Sequence, residues 1–528
     1  MSQHLLRAPY ASHSRVIADQ AACHALLNCL IKEFALPLSL LDDGWRKQPL
    51  GLPFQLYRRV QSRQAMPLMI RMPDGTRFLV LVDRHDGLGS QAYLSGVFGK
   101  REGERWQLLD PGSLAEYMLD SCSAVTQKRN PELLTQILAS RDLKRAVVAH
   151  FEDKTTQPLA DYVRSEQCLW FGHPVQAAPK ARLWPAALRS EDFSPEFGVS
   201  LRLHLFEVPR DGLWIGANRL SDQQALAGFA DQSEARPGHA IISMHPIQAE
   251  LFLADERVQR LLEARRIRDL GRTGFQAFPT ASVRTLYVEG HDYFIKGSLN
   301  IRITNCVRKN AWYELESALI IDRLLAQLTA GQADSTGGLH TVAEPAALSW
   351  SPSDHGDDDR IWFREQTGAI LRRNFCLSEG ADACLMAGTL FGRGLNLSPN
   401  ILPFLAQHLG RTPSADDLLQ WFGRYAALLL RPVVSMFFNH GVVFEPHLQN
   451  TVVVHRNGQP AKVLLRDYEG VKLTAEQGMQ QVPAETHARV KQSLEYPRAQ
   501  GWSRIAYCLL VNNLSEAILA MTHGQPQL

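Results

Sequence analysis

Side chains that could bind a metal-bound nucleotide flank a predicted β-hairpin late in the sequence. They are His447, Gln449, Asn450 and Asp467. Asn457-Gly458 separates two β-branched runs, residues 451–455 and 461–465, and an Asn-Gly pair there predicts a type I′ turn. The turn folds the second run back on the first, so the Asp467 carboxylate returns close to the histidine and the two amides. Protein kinases place a catalytic-loop Asn and a later metal-binding Asp in a comparable order, but a surface hairpin with polar ends fits the pattern equally well.

Three cations and several hydroxyl groups form a second candidate cluster. The cations are Arg284, Lys296 and Arg308, and the hydroxyl groups belong to Ser282, Thr285 and Thr304. Arg forks and Lys ammonium groups suit phosphates and carboxylates. Val283 separates Ser282 from Arg284, and this alternation predicts that the two side chains share one face of a strand. Arg308 follows Thr304 by four residues, so both reach one substrate carboxylate if the chain turns helical there. The alternative is a solvated charged face, which the interleaved apolar residues disfavour.

Two further motifs each contain a histidine next to a proline. Gly172-His173-Pro174 is followed by Lys180 and Arg182, and His245-Pro246 is followed by Gln248. A lone loop histidine is most often structural, and Pro246 predicts the first turn of a helix. The sequence contains no Walker A motif and no G-x-G-x-x-G after a strand, which argues against a P-loop or Rossmann nucleotide site.

Hydrophobic periodicity and turn residues predict mixed helices and strands around these motifs. The predicted helices cover residues 20–34, 131–151, 255–268, 311–328 and 416–430. The predicted strands cover residues 199–208, 239–244, 281–289 and 293–304, besides a hairpin at 68–82 that turns at Pro73-Asp74-Gly75. Residues 170–185 and 333–359 are rich in Gly, Pro and other loop-forming residues, so we expect loops there.

The composition narrows the class of protein. The 528 residues are 45% apolar and 21% charged with a net charge of +2, so a large core can form and neither nucleic acid nor an anionic membrane is favoured as a partner. Eight cysteines occur without a C-x-x-C pair, which argues against structural zinc and disulfides and favours a reduced, cytoplasmic compartment. The first 20 residues contain no secretory apolar segment, and the most apolar run, 425–438, is short and carries Arg431, so we expect no membrane span.

Taken in order, these motifs resemble those of the IucA/IucC family, the siderophore synthetases that work independently of nonribosomal peptide synthetases. The matching blocks are Gly172-His173-Pro174, Lys180 with Arg182, His245-Pro246-x-Gln248, Thr280-Ala281-Ser282-x-Arg284-Thr285, Lys296-x-Ser298-Leu299-Asn300-x-x-x-Thr304-Asn305-x-x-Arg308, His447-x-Gln449-Asn450 and Arg466-Asp467. The resemblance implies an α+β fold with a multi-lobed, cupped-hand architecture of thumb, fingers and a kinase-like palm. It assigns a thumb-like region to residues 1–158, a fingers region with the ATP and carboxylate motifs to 159–345, and the palm to 346–528.

The resemblance also implies an activity. Family members use ATP and Mg²⁺ to adenylate a carboxylate, commonly on citrate; an amine or hydroxyl then attacks the acyl-adenylate and AMP leaves. The nucleotide-binding residues would be Ser282, Arg284, Thr285, Lys296, Gln449, Asn450 and Asp467, with Asp467 and Asn450 also binding the metal. The residues at the carboxylate substrate would be His173, Thr304, Arg308 and His447, with His173, Arg308 and His447 acting in catalysis. A homodimer is a further family expectation.

Some residues depart from the family pattern. Many relatives carry a second His-Pro where this chain has Gln176-Ala177, and Trp184 stands where a Gly often follows the Lys-x-Arg pair. These changes concern the choice of substrate more than adenylation, because the phosphate-side blocks are intact.

Two other functions remain open on the sequence. The hairpin alone fits a kinase-like phosphotransferase acting on a small molecule, which would release ADP instead of AMP and pyrophosphate. A non-catalytic citrate- or siderophore-binding protein is the third hypothesis, and the intact Lys296, Arg308 and Asp467 argue against it.

Overall fold

The computed structural model describes residues 13–42, 54–62, 65–152, 159–185, 188–304, 306–330 and 337–525. Helices and strands are mixed along these ranges, which confirms the predicted mixed class. None of the helices in these ranges combines the length and the apolarity that a membrane span needs. Asn305 of the predicted motif lies outside the described residues.

The N-terminal region packs helices on an antiparallel sheet. Its strands, in spatial order, are β1 (Leu41–Asp42), β2 (Met66–Arg71), β3 (Arg77–Val82), β4 (Phe98–Lys100) and β5 (Gln107–Leu108). Its helices are α1 (His13–Cys29), α2 (Phe54–Gln61), α3 (Pro111–Thr126) and α4 (Pro131–His150), and α1 continues as a π-helix over Leu30–Ala35. β2 and β3 form the predicted hairpin, with Gly75 at φ 87° in its turn. Leu27 of α1 shares a core with Phe78 and Val80 of β3, so the sheet fixes the π-helix that follows α1.

The middle of the chain contains the elements that carry most of the predicted motifs. Its strands are β6 (Leu201–Arg202), β7 (His204–Pro209), β8 (Leu213–Ala217), β9 (His239–Met244), β10 (Arg268–Gly271), β11 (Gln276–Pro279), β12 (Thr285–Tyr287), β13 (Tyr293–Gly297), β14 (Leu299–Ile303) and β15 (Cys306–Arg308). Its helices are α5 (Tyr162–Gln167), α6 (Asp222–Phe229), α7 (Pro246–Leu253), α8 (Glu256–Glu263) and α9 (Trp312–Thr329). Residues 170–185 contain no helix or named strand, as predicted.

The last part of the chain adds further strands and helices. The strands are β16 (His340–Thr341), β17 (Ala346–Trp350), β18 (Ala369–Arg373), β19 (Cys384–Met386), β20 (Val442–Val443), β21 (Thr451–Arg456), β22 (Gln459–Leu465), β23 (Lys472–Thr474) and β24 (Glu495–Tyr496). The helices are α10 (Asp357–Thr367), α11 (Cys376–Glu379), α12 (Ala387–Leu390), α13 (Ile401–Leu409), α14 (Ala415–His440), α15 (Ala488–Leu494), α16 (Arg498–Ala506) and α17 (Ser515–Met521), with a π-helix over Tyr507–Leu514.

A seven-stranded sheet joins the middle of the chain to its last part. Its order is β6-β11-β12-β13-β18-β17-β8, and Leu286, Ile295 and Leu371 lie in the core that covers it. β7 pairs with β9 and β10 in a separate sheet, and β14 pairs with β15 alone. The seven-stranded sheet draws strands from both sides of residue 345, and the division of the chain at 158/159 and 345/346 stays a prediction.

A four-stranded sheet carries the hairpin near the end of the chain. Its order is β16-β22-β21-β19. Helix α14 contains the predicted helix 416–430 and packs on this sheet, since Trp421 and Leu429 share a core with Val453 and Leu465. The long helix therefore holds both strands of the hairpin in place.

Several predicted strands differ from the observed ones. Residues 199–208 form two strands, β6 and β7, in different sheets, and residues 293–304 likewise divide into β13 and β14. The second division falls at Ser298. Its N–H donates to Gly368 O at 2.8 Å, and the chain leaves the β13 register at this residue. Alternation of residue types predicts a strand but does not show where the chain changes partner.

The predicted strand 281–289 and loop 333–359 are also wrong in extent. The chain turns at 280–283, because Val283 has φ 68° and its N–H donates to Thr280 O at 2.8 Å. Ser282 and Arg284 therefore do not share a strand face; the strand begins only at Thr285. Within the predicted loop, β17 is fully buried, because Ala346–Trp350 pairs on both sides in the sheet.

Candidate functional site

One cavity of about 550 Å³ collects the residues that the sequence singled out. The predicted site residues that line it are His173, Ser282, Arg284, Thr285, Lys296, Thr304, Arg308, His447, Gln449, Asn450 and Asp467. Its volume is typical of sites for small molecules. The roles of these side chains stay predictions, but their common location is a property of the fold.

The β21–β22 hairpin has the predicted geometry. Asn457 has φ 52° and Gly458 has φ 80°, which are the two positive values that a type I′ turn requires. Thr451 pairs with Leu465, and Arg466 N donates to Asn450 O at 3.1 Å. The hairpin therefore returns residue 467 to the start of its first strand.

Arg466 holds the two ends of the hairpin together. Its buried guanidinium donates to Gln449 O at 2.7 and 3.0 Å and forms an ion pair with the buried Glu166 of α5. Burial opposes its charge, but Glu166 and Tyr162 outweigh burial and raise its pKa. Arg466 therefore positions Gln449 and ties α5 to the hairpin.

Asp467 lies in a network of alternating charges. Its carboxylate contacts Lys296 Nζ and lies 3.3 Å from Arg372 Nη2. Burial alone would raise its pKa, but the neighbouring cations hold the pKa well below its usual range. Asp467 also has φ 81°, a conformation that is costly outside glycine and occurs mainly where the surrounding structure enforces it. The site therefore contains an ionised carboxylate in a fixed, strained position.

Glu469 is the second carboxylate of this network. Its Oε2 lies 2.7 Å from Arg284 Nη2 and 2.9 Å from Lys296 Nζ. Burial opposes its ionisation, but Arg284 and Lys296 lower its pKa to about 2. Asp467 and Glu469 thus form one network with Arg284, Lys296 and Arg372, and all of these except Glu469 line the cavity.

Sequence reasoning missed Arg372 and Glu469. Glu469 follows Asp467 by two residues, and a carboxylate so close to a predicted metal ligand was an available signal. Arg372 lies in the apolar strand β18, where a buried arginine needs a partner. It finds one in Glu344, 2.7 Å away, which lies far from it in sequence.

Thr304 and Arg308 meet as predicted, but by a different geometry. Arg308 Nη2 donates to Thr304 Oγ1 at 3.1 Å. The two residues lie at the turn end and the open end of the β14–β15 hairpin, in which Arg308 pairs with Leu299. The expected helical turn is therefore wrong. Thr304 has φ 57° and its N–H donates to Ala181 O at 2.8 Å, so the loop 170–185 fixes its position.

Two histidines face each other across the cavity. The ring centroids of His173 and His447 lie 6.0 Å apart. Nδ1 of His173 accepts the N–H of Val175 at 3.2 Å, and Nδ1 of His447 accepts the N–H groups of Gln449 and Asn450. Both neutral rings therefore carry their proton on Nε2. Nε2 of His173 is buried and has no hydrogen-bond partner among the described residues.

Burial sets the charge of both rings. It lowers the pKa of His173 to about 3 and that of His447 to about 4. Each ring is therefore neutral near pH 7 and presents one N–H donor, as a carboxylate oxygen requires.

Lys180 and Arg182 line the same cavity but share a carboxylate. Arg182 makes two hydrogen bonds of 2.7 Å to Glu196, and Lys180 Nζ also contacts it. Burial lowers the pKa of Lys180 to about 8 despite Glu196. The loop thus adds net positive charge beside His173.

The His245 motif is structural. Nδ1 of His245 accepts the N–H of Ile247 at 3.2 Å and caps α7. The Gln248 amide accepts the N–H of Asn300 at 2.7 Å and donates to Gln366. Neither side chain lines the cavity, and the helix-starting turn predicted for this motif is confirmed.

The two π-helices, the end of α16 and the segment before His447 also line the cavity. Tyr507 OH donates to Glu33 Oε1 at 2.7 Å, and Arg504 Nε donates to Glu445 Oε1 at 2.8 Å. π-helical turns are uncommon and often occur at functional sites. The N-terminal region therefore contributes to the cavity through Glu33.

The residues at Asp467 fit a hard cation. Carboxylate and amide oxygens are the ligands that Mg²⁺ prefers, and Asp467, Glu469 and Asn450 supply both types. Among the described residues, no group of three or more His, Cys, Asp or Glu is arranged to hold a metal ion by itself.

Comparisons with known proteins point to one group of enzymes. Residues 161–392 match the model of the IucA / IucC family, and residues 419–527 match that of the ferric iron reductase FhuF-like transporter. The chain is 26% identical over 490 residues to the spermidine-citrate ligase of Bacillus anthracis, covering 87% of this chain and 78% of that one. It is 28% identical over 474 residues to the rhizobactin siderophore biosynthesis protein RhbC of Rhizobium meliloti strain 1021, covering 84% and 75%.

A solved structure has the same fold as this chain. The ATP-bound aerobactin synthetase IucA from a hypervirulent pathotype of Klebsiella pneumoniae superposes with a TM-score of 0.78 at 20% identity, covering 96% of this chain and 88% of that one. The fold is therefore shared along nearly the whole chain.

Proposed function

The chain belongs to the IucA/IucC family, and on that premise we propose that it is an ATP-dependent, AMP-forming carboxylate–amine or carboxylate–alcohol ligase of siderophore biosynthesis. It activates a carboxylate of citrate or a citrate derivative and joins it to an amine or hydroxyl nucleophile. The observation that carries this proposal is the single cavity in which the Lys296 charge network and the Thr304–Arg308 pair meet. ATP and a citrate-like acid are both polyanions, so a site that joins them needs clustered cations and donors.

The nucleotide side is built around Lys296. Ser282, Arg284, Thr285 and Lys296 hold the phosphates, and Gln449, Asn450 and Asp467 serve the nucleotide and the metal. Bound Mg²⁺ would neutralise phosphate charge beside Asp467 and Asn450. Asp467 and Glu469 contact Lys296 and Arg284 in this structure, and Mg²⁺ held by these acids would supply the positive charge that the two cations now provide to them.

The acid side is built from neutral donors and one guanidinium. Arg308 binds a substrate carboxylate, supported by Thr304, while His173 and His447 donate from Nε2. The neutral rings orient the attacking carboxylate without cancelling the negative charge of its nucleophilic oxygen. This oxygen then bonds to the α-phosphorus and displaces pyrophosphate. The nucleophile's nitrogen or oxygen next attacks the acyl carbon, and AMP leaves as the acyl–oxygen bond breaks.

The product assay tests the reaction class. We expect purified protein with ATP and Mg²⁺ to release AMP and pyrophosphate in a ratio near one to one, and only when a carboxylic acid is present, with citrate the first candidate. A panel of acids crossed with amines and amino alcohols then identifies the pair that turns over. ADP and a phosphorylated acceptor would establish the phosphotransferase alternative instead. Saturable citrate binding by calorimetry with no ATP consumption across the panel would establish the non-catalytic one.

The remaining family expectations belong to the same proposal. We propose a cytoplasmic homodimer with thumb, fingers and palm lobes at residues 1–158, 159–345 and 346–528. The seven cysteines whose side chains the structure describes are free thiols, as a reducing compartment permits. Sedimentation velocity at several concentrations tests the dimer, and a monomer at all of them would reject it.

A further inference from the structure

A second, smaller cavity lies behind the loop that carries His173. Its volume is about 80 Å³, and Gly172 lines both this cavity and the larger one. The polar residues that line it are His24, Asn28, Gln91, Tyr93, Arg393 and Glu516. The other lining residues are apolar or glycine. The small cavity therefore has a cluster of polar groups in an otherwise apolar lining, and it is separate from the larger cavity.

Arg393 carries a positive charge into this cavity without a matched carboxylate. Its Nη1 donates to Leu397 O at 2.8 Å, and among the described residues no carboxylate lies within ion-pair distance of its guanidinium. Burial lowers its pKa despite the charge of Glu516, so the surroundings do not compensate the cost of desolvating it. A guanidinium left in this state is a strong donor for an oxyanion.

Gln91 supplies an independent observation. Gln91 is 3% exposed and lines the cavity, and its Nε2 makes no hydrogen bond of standard geometry within the described structure. A buried amide that lacks a partner costs free energy, and such groups in native proteins call for a missing ligand or water. Burial also keeps His24 neutral by lowering its pKa to about 3, so its ring offers a further N–H.

One acid also faces this cavity, and it is neutralised. Glu516 Oε1 lies 2.5 Å from Lys32 Nζ and 3.3 Å from Ser90 Oγ. Lys32 balances the carboxylate, so Arg393 leaves the cavity with net positive charge.

We propose that this cavity is a second binding site, specific for a small oxyanion, in which Arg393 and the Gln91 amide are the principal donors. The volume agrees: a water needs roughly 10–15 Å³ of such space, so the cavity has room for an acetate- or phosphate-sized group. The ligand is a carboxylate or a tetrahedral oxyanion. The site does not depend on the proposed ligase activity.

The cavity also has a structural connection to the larger site. Asn28 Nδ2 donates to Pro174 O at 3.0 Å, and its Oδ1 accepts from Tyr93 OH at 2.7 Å. An anion bound in the small cavity contacts Gly172 and Pro174, which line it. His173 lies between these two residues in the sequence and lines the larger cavity. Occupancy of the second site therefore bears on the position of that ring.

Two probes distinguish the possible ligands on the full-length protein. Crystals soaked in selenate are expected to give an anomalous peak within hydrogen-bond distance of Arg393 if the site takes tetrahedral oxyanions. Relaxation of the ¹⁹F signal of trifluoroacetate is expected to reveal saturable binding if it takes carboxylates. Binding of either probe supports the site and names the ligand type. Density in the cavity that refines as water alone, with no saturable ¹⁹F effect attributable to Arg393, would overturn it.

Substitutions of the proposed donors assign the binding. Arg393→Met should weaken the probe by about tenfold to a hundredfold, as loss of a charge-assisted bond predicts, and Gln91→Leu should weaken it less. Arg411→Met is the matched control, because Arg411 is exposed and pairs with Asp417 outside the cavity. If Arg393→Met does not fold, Gly388→Ala serves instead: its new methyl group meets no atom closer than 3.5 Å and narrows the cavity. Equal probe affinity in the folded cavity variants and the control would reject the proposal.

Discussion

Asp467 combines a carboxylate in the charge network of the site with an unfavourable backbone conformation. Its carboxylate contacts Lys296 and lies 3.3 Å from Arg372, at φ 81°. We expect Asp467→Asn to keep the fold, because Asn tolerates the left-handed region, but to lose the charge that we propose binds Mg²⁺. Turnover at limiting Mg²⁺ should fall by about tenfold to a hundredfold, the cost of one charge-assisted contact. Initial rates across a Mg²⁺ titration check this, with thermal melting as the control for folding. An unchanged Mg²⁺ dependence would contradict the assigned role.

Arg308 tests the proposed division between an acid site and a nucleotide site. A guanidinium grips a carboxylate with two parallel bonds, whereas an ammonium is a point charge. We expect Arg308→Lys to raise the KM of the acid by about tenfold to a hundredfold if binding is at equilibrium, while ATP affinity stays near normal. Steady-state kinetics with each substrate varied in turn provide the test. If ATP affinity falls and the KM of the acid does not change, Arg308 belongs to the phosphate site.

At this scale, residue type and spacing predict which side chains meet at the site. His173, Lys296 and Asp467 were identified because they belong to short motifs, and they line one cavity. Arg372 and Glu344 were missed because their pairing joins β18 to a residue 28 positions away, which only the folded chain brings together.

Among the elements, the β21–β22 hairpin depends on Gly458. A Cβ at this position would lie 2.6 Å from His408 Cβ, and φ is 80°, so Gly458→Ala meets both a steric clash and an unfavourable dihedral angle. Gly410→Ala is the matched control, since Gly410 has φ 67° and open space around a Cβ. We expect the control to cost about 1–2 kcal/mol and Gly458→Ala to cost about 1–3 kcal/mol more. Urea denaturation of both variants measures the difference, and equal costs would show that His408 moves aside freely.

The same hairpin shows why some elements are predictable. An Asn-Gly turn is a local signal, because positive φ at both positions is encoded by the two residues themselves. The division of residues 293–304 at Ser298 was not predictable, since it depends on Gly368 in a distant segment. Likewise, β17 was predicted as a loop. Its burial comes from the strands that pair on both sides of it, and the local sequence does not show them.

In the whole molecule, the N-terminal region joins the end of the chain through a buried ion pair. Lys32, in the π-helix after α1, lies 2.5 Å from Glu516 of α17, with side chains 1% and 8% exposed. The predicted arrangement of lobes came from the family resemblance and stays a prediction, since no local pattern relates residues so far apart. The neighbouring Glu33 lines the large cavity, so this contact also determines where the N-terminal wall of the site lies.

Removing one partner of that pair tests how firmly the N-terminal region is held. We expect Lys32→Met to lower the free energy of unfolding by about 3–5 kcal/mol, because it leaves the Glu516 carboxylate buried and unpaired. The double variant Lys32→Met/Glu516→Leu should recover much of this loss, since no charge is then left buried. Lys309→Met is the control, because Lys309 and Glu365 form a pair of similar length, 2.7 Å, that is 33% and 22% exposed, where an ion pair contributes under about 1 kcal/mol. Urea unfolding followed by tryptophan fluorescence compares the four proteins. If Lys32→Met is no more destabilised than Lys309→Met, the buried pair does not hold the N-terminal region, and the core packing of α1 on its sheet must position Glu33 alone.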